Sequence, residues 1–308
     1  MSVEELEQLA QSMFYMEKLQ SGHILSKGPH LGSALPENRI YGGQIFGQAW
    51  RALQIHLNDC GKNFKLHTLS HTFIAPGKAD EPIEYKLIES LGNVHLVAAM
   101  QNDQIISFTR LRLHATNVLN KGESLELDYV KGVENYPTLE ELGITIRKNV
   151  ETTSRRAFID RKIEEEMLKL LIFQIKLVEF KERIGKTKRN ILYIRLKPEL
   201  KKFVTHQYAT QIMLNLSDFF ILDVIMQLLD EHDYHMNTGA SLKHEVMVHD
   251  IPDDPFDWML FRTEVLHFGL NRCLINGIVY DRKGNRLLSV TQEAFCSINP
   301  RLKSASKF

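Results

Sequence analysis

Between residues 41 and 57 the apolar positions recur at helical spacing: Phe46, Trp50, Leu53 and Leu57, with Ile45 and Ala49 beside them. That pattern predicts a helix from Tyr41 to Leu57. The segments that follow, LHTLSHTFIAP, EPIEYKLIES, VHLVAAM and QIISFTRLRLH, carry the β-branched and aromatic content of strands. Turn-forming residues separate them at Pro76-Gly77, Leu91-Gly92-Asn93 and Asn102-Asp103. The predicted unit is one helix followed by an antiparallel meander.

The same order returns near the C-terminus. Asn215 to Glu231, NLSDFFILDVIMQLLDE, is apolar nearly all round, as a helix buried on most sides would be. After it come SLKHEVMVHD, WMLFRTEVLHF, RCLINGIVYD and RLLSVTQEAFCS, again divided by turns. Pro76 to Asn102 is 26 residues and Pro252 to Arg282 is 30, so an internal duplication is the economical reading. The expected class is α+β, with residues 1–115 and 189–300 each curving an antiparallel sheet around a long helix. Residues 116–188 are polar and read as a helical connection with a solvated face, IEEEMLKLLIFQIKLVEFKER being its most regular stretch. Residues 301–308, RLKSASKF, read as a polar, basic tail.

Composition narrows the class. The 308 residues are 44% hydrophobic and 25% charged, with 38 basic and 38 acidic side chains. A neutral chain has little field to hold a phosphate backbone, so no nucleic-acid partner is expected. Three cysteines, Cys60, Cys273 and Cys296, are odd in number and far apart, which suits free thiols in a reducing compartment. The start shows no secretory pattern, and the longest apolar run, Phe219 to Met226, is too short for a membrane span. A homo-oligomer is compatible with this composition.

Several chemistries find no support. Gly239-Ala-Ser241 begins like a nucleophile elbow, but Lys243 stands where the second glycine should be. Gly42, Gly43 and Gly47 have the wrong spacing for a phosphate loop. No metal-ligand motif occurs, and no cofactor is expected. His67 and His71 lie four apart on a predicted strand and read as surface or packing histidines. Three polar residues stand out. Asp218 falls in the first turn of the predicted 215–231 helix, where the dipole favours a carboxylate. An Asn215 N-cap with Asp218 three residues later is the plainer reading of the same pair. Gln292 shares a strand face with Leu288, Val290 and Ala294, where an unpartnered amide would cost about 1–3 kcal/mol. Ser241, by alternation, shares a polar face with Lys243, Glu245, Met247 and His249, which argues against an inward role.

RIYGGQIFGQAWRAL, from Arg39 to Leu53, resembles the R-[VI]-[FY]-G-G-Q-x-x-G-Q-A signature of the acyl-CoA thioesterase II family, which has bacterial and peroxisomal members. HTFIAPGKADEPIEY, NLSDFFIL and GIVYDRKGNRLLSVTQEAF are similar to further blocks of that family, and together they span about two-thirds of the chain. The resemblance implies a double hotdog fold and hydrolysis of fatty acyl-CoA to a free acid and CoA. It also implies that Asp218, Ser241 and Gln292 hold and activate a water, with no cofactor and no metal. The chain departs from the family at Lys243 and Glu245, where Asp and Ser are usual, and at Met247, where Trp is usual. A strand near Gly92 is also about three residues short of the family pattern. These departures leave open a non-catalytic acyl-CoA-binding homologue or, further off, an enoyl-CoA hydratase of the same fold. Ser306-Lys307-Phe308 is one residue from the S-K-L peroxisomal signal, so a peroxisomal import receptor is an expected partner and the peroxisomal matrix the expected location.

Overall fold

The computed structural model describes residues 3–32, 38–58, 64–115, 132–138, 141, 172–184 and 187–300. In chain order the helices are α1 (Val3–Phe14), α2 (Gly42–His56), α3 (Ala209–Asp218) and α4 (Asp223–Glu231). The first six strands are β1 (Glu17–Lys18), β2 (Ile24–Ser26), β3 (Phe64–Phe73), β4 (Ile83–Leu91), β5 (Val94–Gln101) and β6 (Gln104–Ala115). The remaining six are β7 (Phe173–Ile184), β8 (Thr187–Leu196), β9 (Tyr234–Val248), β10 (Met259–Gly269), β11 (Arg272–Tyr280) and β12 (Arg286–Pro300).

The twelve strands among the described residues join one antiparallel sheet in the order β1-β2-β4-β5-β6-β3-β9-β12-β11-β10-β8-β7. The order 4-5-6-3 in the first half repeats as 10-11-12-9 in the second, reversed across the join. Two separate sheets were expected, and the structure differs because β3 pairs with β9 from Thr68↔Met247 to Thr72↔Lys243. Each strand thereby supplies partners for backbone groups that the other would leave bare at an edge.

The middle of the chain also departs from expectation. Residues 173–184, expected in the helical connection, form β7 and pair with β8 from Phe173↔Leu196 onward. In FQIKL the apolar residues alternate, and a short run of that kind satisfies strand and helix spacing together. Tertiary pairing decides it. The turn around Val133–Asn135 packs Val133 against Ile191, Tyr193, Trp258, Leu260 and Tyr280, a second small core on the outer sheet face. Strand β8 is therefore buried on both sides, with Leu192, Ile194 and Leu196 in the main core. Most of the expected connection, residues 116–131 and 142–171, lies outside the described residues, as do Cys60 and the tail 301–308. Cys273 and Cys296 are free, buried thiols with sulfurs 3.5 Å apart.

Helices α2 and α3 pack against each other and against the inner face of the sheet. The run His206–Met226 is apolar and long enough to cross a membrane by length and composition, and here it is mostly buried core. The expected 215–231 helix is two helices. Residues Phe219–Leu222 break it, with Phe220 at φ 60°. No glycine or proline marks that break, so the sequence conceals it. At the α2–α3 crossing the backbones nearly touch. A Cβ on Gly43 would lie 2.6 Å from the Asn215 carbonyl oxygen, and one on Gly47 would strike the Asn215 side-chain amide. The same amide turns its NH₂ toward the Gly43 carbonyl at 2.8 Å.

The two motif glutamines fasten α2 to the elements on its far side. Gln44 accepts from Leu31 N at 2.7 Å and donates to Ser12 O at 3.1 Å. Gln48 donates to Ser12 O and Ser26 Oγ and accepts from the Tyr85 hydroxyl at 2.9 Å. Both amides are fully buried, so each needs these partners.

Replacing Gly43 with alanine should lower stability by about 1–3 kcal/mol, because the clash is with backbone that cannot turn aside. Urea unfolding measures it. An unchanged midpoint would mean the helices do not cross as closely as described.

Candidate active site

The α2–α3 crossing is antiparallel, so the last residue of α3 reaches the first turn of α2. That residue is Asp218, and its Oδ2 accepts the Gly43 N–H at 2.8 Å. The sequence placed Asp218 in the first turn of its own helix with Asn215 as cap. Instead it ends α3, and the positive helix end it meets belongs to α2. Asn215 caps nothing there; it bridges the two helices. Tyr41 closes one side, its hydroxyl donating to the Asn215 carbonyl and its ring edge-on to Phe219 at 5.8 Å.

Strands β9 and β12 bring the other groups. Gln292 is fully buried on β12, and its amide Nε2 donates to Ser241 Oγ at 2.8 Å. Ser241 reaches the inner face because of a β-bulge. The register runs Glu293↔Lys243 and then Ala294↔Ser241, leaving Leu242 as the extra residue. Alternation is broken there, and the objection it raised against Ser241 falls. Gln292 and Ser241 also act on the Asp218 carboxyl, each lowering its pKa as a neighbouring donor would. The three residues singled out in the sequence thus meet at one point, at the mouth of the α2–α3 crossing.

The bulge also separates Ser241 from Lys243 and Glu245. Those two side chains pair with each other at 2.8 Å on the outer face and are 45% and 44% exposed. The departures at these positions lie on the outer face, and Glu245 reaches the inner cluster only through its charge on His244. A second bulge, at His67 on β3, has a similar effect. His67 stacks on His114 toward the outside, while His71 turns inward and is buried, so the two histidines do not share a face.

One residue of the cluster escaped the sequence reading. His244, on β9 opposite His71, is fully buried, with Nδ1 2.5 Å from Gln292 Oε1 and Nε2 2.9 Å from Ser217 Oγ. Its ring stacks on Phe46 at 4.6 Å, and Nδ1 lies 4.0 Å from Asp218 Oδ1. The available signal was strand parity: His244 shares the inward set with Val246 and Val248.

Electrostatics acts on the carboxyl from several sides. Burial raises the Asp218 pKa above the usual carboxylate value, opposed by His244, the Gly43 N–H, Gln292 and Ser241. Burial lowers the His244 pKa, opposed by Asp218, Gln292 and Glu245. A carboxylate held by donors yet raised in pKa is a stronger base than a free one and could take a proton from a water beside it. Among the described residues no group of three or more His, Cys, Asp or Glu side chains converges as a metal site.

Comparison with known proteins gives the following. Residues 178–296 match the family described as acyl-CoA thioesterase C-terminal domain. No curated protein matches the chain. The structure is similar to a tesB protein of Mycobacterium avium subspecies paratuberculosis, at 15% identity and TM-score 0.66, covering 94% of this chain and 98% of that one. The acyl-CoA thioesterase II TesB2 of Mycobacterium marinum has the same identity, coverage and TM-score. A hot dog fold protein of Alicyclobacillus acidocaldarius follows at 12% identity and TM-score 0.63, covering 94% of this chain and 97% of that one. At these identities the likeness is one of fold, and the fold is the hotdog.

The raised Asp218 pKa carries a stability consequence with a definite sign. A folded-state pKa above the unfolded one gives stability that is present below the unfolded pKa and lost as pH rises through the folded one. Asp218→Asn keeps an oxygen for the Gly43 N–H and removes the buried charge. Its melting temperature should equal the parent's at low pH and exceed it at neutral pH. A variant less stable than the parent at neutral pH would show that the carboxylate's hydrogen bonds outweigh its burial.

Proposed function

We propose that the chain is an acyl-CoA thioesterase that hydrolyses fatty acyl-CoA to a free fatty acid and CoA, a reading that starts from the match of residues 178–296 to the acyl-CoA thioesterase C-terminal domain. The fold is taken as a double hotdog, each half contributing a helix and the repeated strand order. The observation that carries the proposal is the meeting of Asp218, Ser241 and Gln292 at the first turn of α2.

In this mechanism Ser241 and Gln292 hold a water against Asp218. The carboxylate takes its proton as the oxygen attacks the thioester carbonyl, and the tetrahedral oxyanion then expels CoA thiolate, which recovers the proton. Thiolates leave readily, so no strong acid is needed. In the first turn of α2 the Gly43 N–H is engaged by Asp218 and the Gln44 N–H by the Tyr41 carbonyl at 3.1 Å, so we assign the oxyanion to the Gly42 N–H. Each such donor is worth roughly 3 kcal/mol in the transition state. A non-catalytic acyl-CoA binder was suggested by the substitutions at Lys243 and Glu245 and by the short strand near Gly92; the outward direction of the two side chains counts against the first ground and leaves the second as it was.

Asp218→Asn should lower turnover of an acyl-CoA, followed by free-thiol release, by roughly 100-fold or more. Gln292→Ala should lose about 10- to 1,000-fold, and Ser241→Ala less, since solvent can replace a positioning hydroxyl. An active, folded Asn variant would sink the water mechanism. An acyl group trapped on Ser241 would replace it with a covalent one.

We also propose a peroxisomal address read from Ser306-Lys307-Phe308 by the import receptor, which recognises a small residue, a basic residue and an apolar end. Fusion of the last residues of the chain to a fluorescent protein should give a punctate peroxisomal signal lost on deletion of Phe308. A diffuse signal unchanged by that deletion would refute the address and leave the chemistry standing.

A further inference from the structure

We infer that His244 is a positioning residue whose ring proton sits on Nδ1 and thereby turns the Gln292 amide so that its NH₂ faces Ser241 and Asp218. The proposal rests on the reading of Asp218, Ser241 and Gln292 as the water-holding group. It adds the residue that decides which end of the glutamine they meet.

The geometry forms a chain of four side chains. Ser217 Oγ lies 2.9 Å from His244 Nε2, His244 Nδ1 lies 2.5 Å from Gln292 Oε1, and Gln292 Nε2 lies 2.8 Å from Ser241 Oγ. Ser217, His244 and Gln292 are fully buried, so no solvent can repair a mismatched contact. An ionised Asp218 only accepts hydrogen bonds, so Gln292 can serve it only through its NH₂. The amide carbonyl is then committed to His244, which must present a donor. In a neutral imidazole that fixes the proton on Nδ1 and leaves Nε2 to accept the Ser217 hydroxyl.

The opposite tautomer has a consistent network of its own, which is why the choice matters. Ser217 Oγ also lies 2.8 Å from the Leu214 carbonyl. If its hydroxyl pointed there, Nε2 would carry the ring proton and Nδ1 would accept. Gln292 would then turn over, setting its carbonyl against Ser241 and the Asp218 carboxylate. Two acceptors would face each other, and the water would lose its donor. Asp218, 4.0 Å from Nδ1, favours the orientation in which both the ring and the amide present hydrogens toward it. Phe46 stacked at 16° keeps the ring from rotating out of line. On the other side, His71 holds Thr109 at 2.8 Å, and burial drives its pKa down to about 3, so it adds no competing charge.

The test has a spectroscopic arm and a kinetic arm. In protein labelled with ¹⁵N at histidine, His244 should show a protonated Nδ1 and an unprotonated Nε2 at neutral pH. His244→Asn places an amide NH₂ where Nδ1 was, so kcat should stay within about fivefold of the parent. His244→Leu removes the donor, and kcat should fall by about 100-fold with KM little changed. Melting curves identify any variant that fails to fold, and the labelled parent tests the proposal without a variant. A ring protonated on Nε2, a Leu variant with the parent's kcat, or a folded Asn variant as slow as Leu would overturn it. If the parent hydrolyses no acyl-CoA, the thioesterase reading fails, and the tautomer still stands or falls on the spectrum.

Discussion

The contact between α2 and α3 is the constraint on which the site depends. Two helices ordinarily pack with their axes 8–10 Å apart, separated by side chains. Here Gly43 and Gly47 remove the side chains on one helix, and Asn215 occupies the space with its amide and its backbone carbonyl. Only at that separation can a side chain as short as aspartate, at the end of α3, accept a hydrogen bond from the first turn of α2. A longer acid would bridge a wider gap, but with more rotamers and a less defined position. The glycine-rich motif is therefore part of the geometry of the candidate site, although no glycine side chain exists to touch a substrate.

The same crossing places Asp218 under opposing influences. Taking a carboxylate out of water is costly, and four donors or charges around it recover part of that cost. The net effect is still a pKa above the ordinary carboxylate value. A carboxylate fully compensated by its neighbours would be a stable ion and a poor base. One left wholly uncompensated would stay protonated at neutral pH. The site's stability and its reactivity thus draw on one electrostatic balance.

The regular parts of this architecture were legible in the chain. Tyr41–Leu57 became α2 with one residue lost at each end, and the eight strands of the two meanders appear where alternation and turns put them. What the sequence concealed were interruptions. The helix break at Phe220 moved Asp218 from a helix start to a helix end, without any glycine or proline to announce it. The bulges at Leu242 and His67 each reversed which face the neighbouring residues occupy. Strand β7 hid inside an apolar segment whose spacing also fits a helix. Each miss concerns a place where tertiary pairing overrides a local period. The candidate residues themselves were legible through residue type and family resemblance, because chemistry limits which side chains can act even when their directions are unknown.

The bulge at Leu242 shows why interruptions gather at this site. A strict strand would present Ser241 and His244 to opposite faces, since they lie three steps apart, an odd number. The proposed mechanism needs both inside: the serine toward the water, the histidine behind the glutamine. One inserted residue changes the parity, so that Gln292 on the unbroken partner strand has Ser241 at its amide nitrogen and His244 at its oxygen. It also frees the intervening Lys243 and the following Glu245 to pair in solvent, where their identity can change without entering the site. An irregular strand is thus what lets one amide read both neighbours at once.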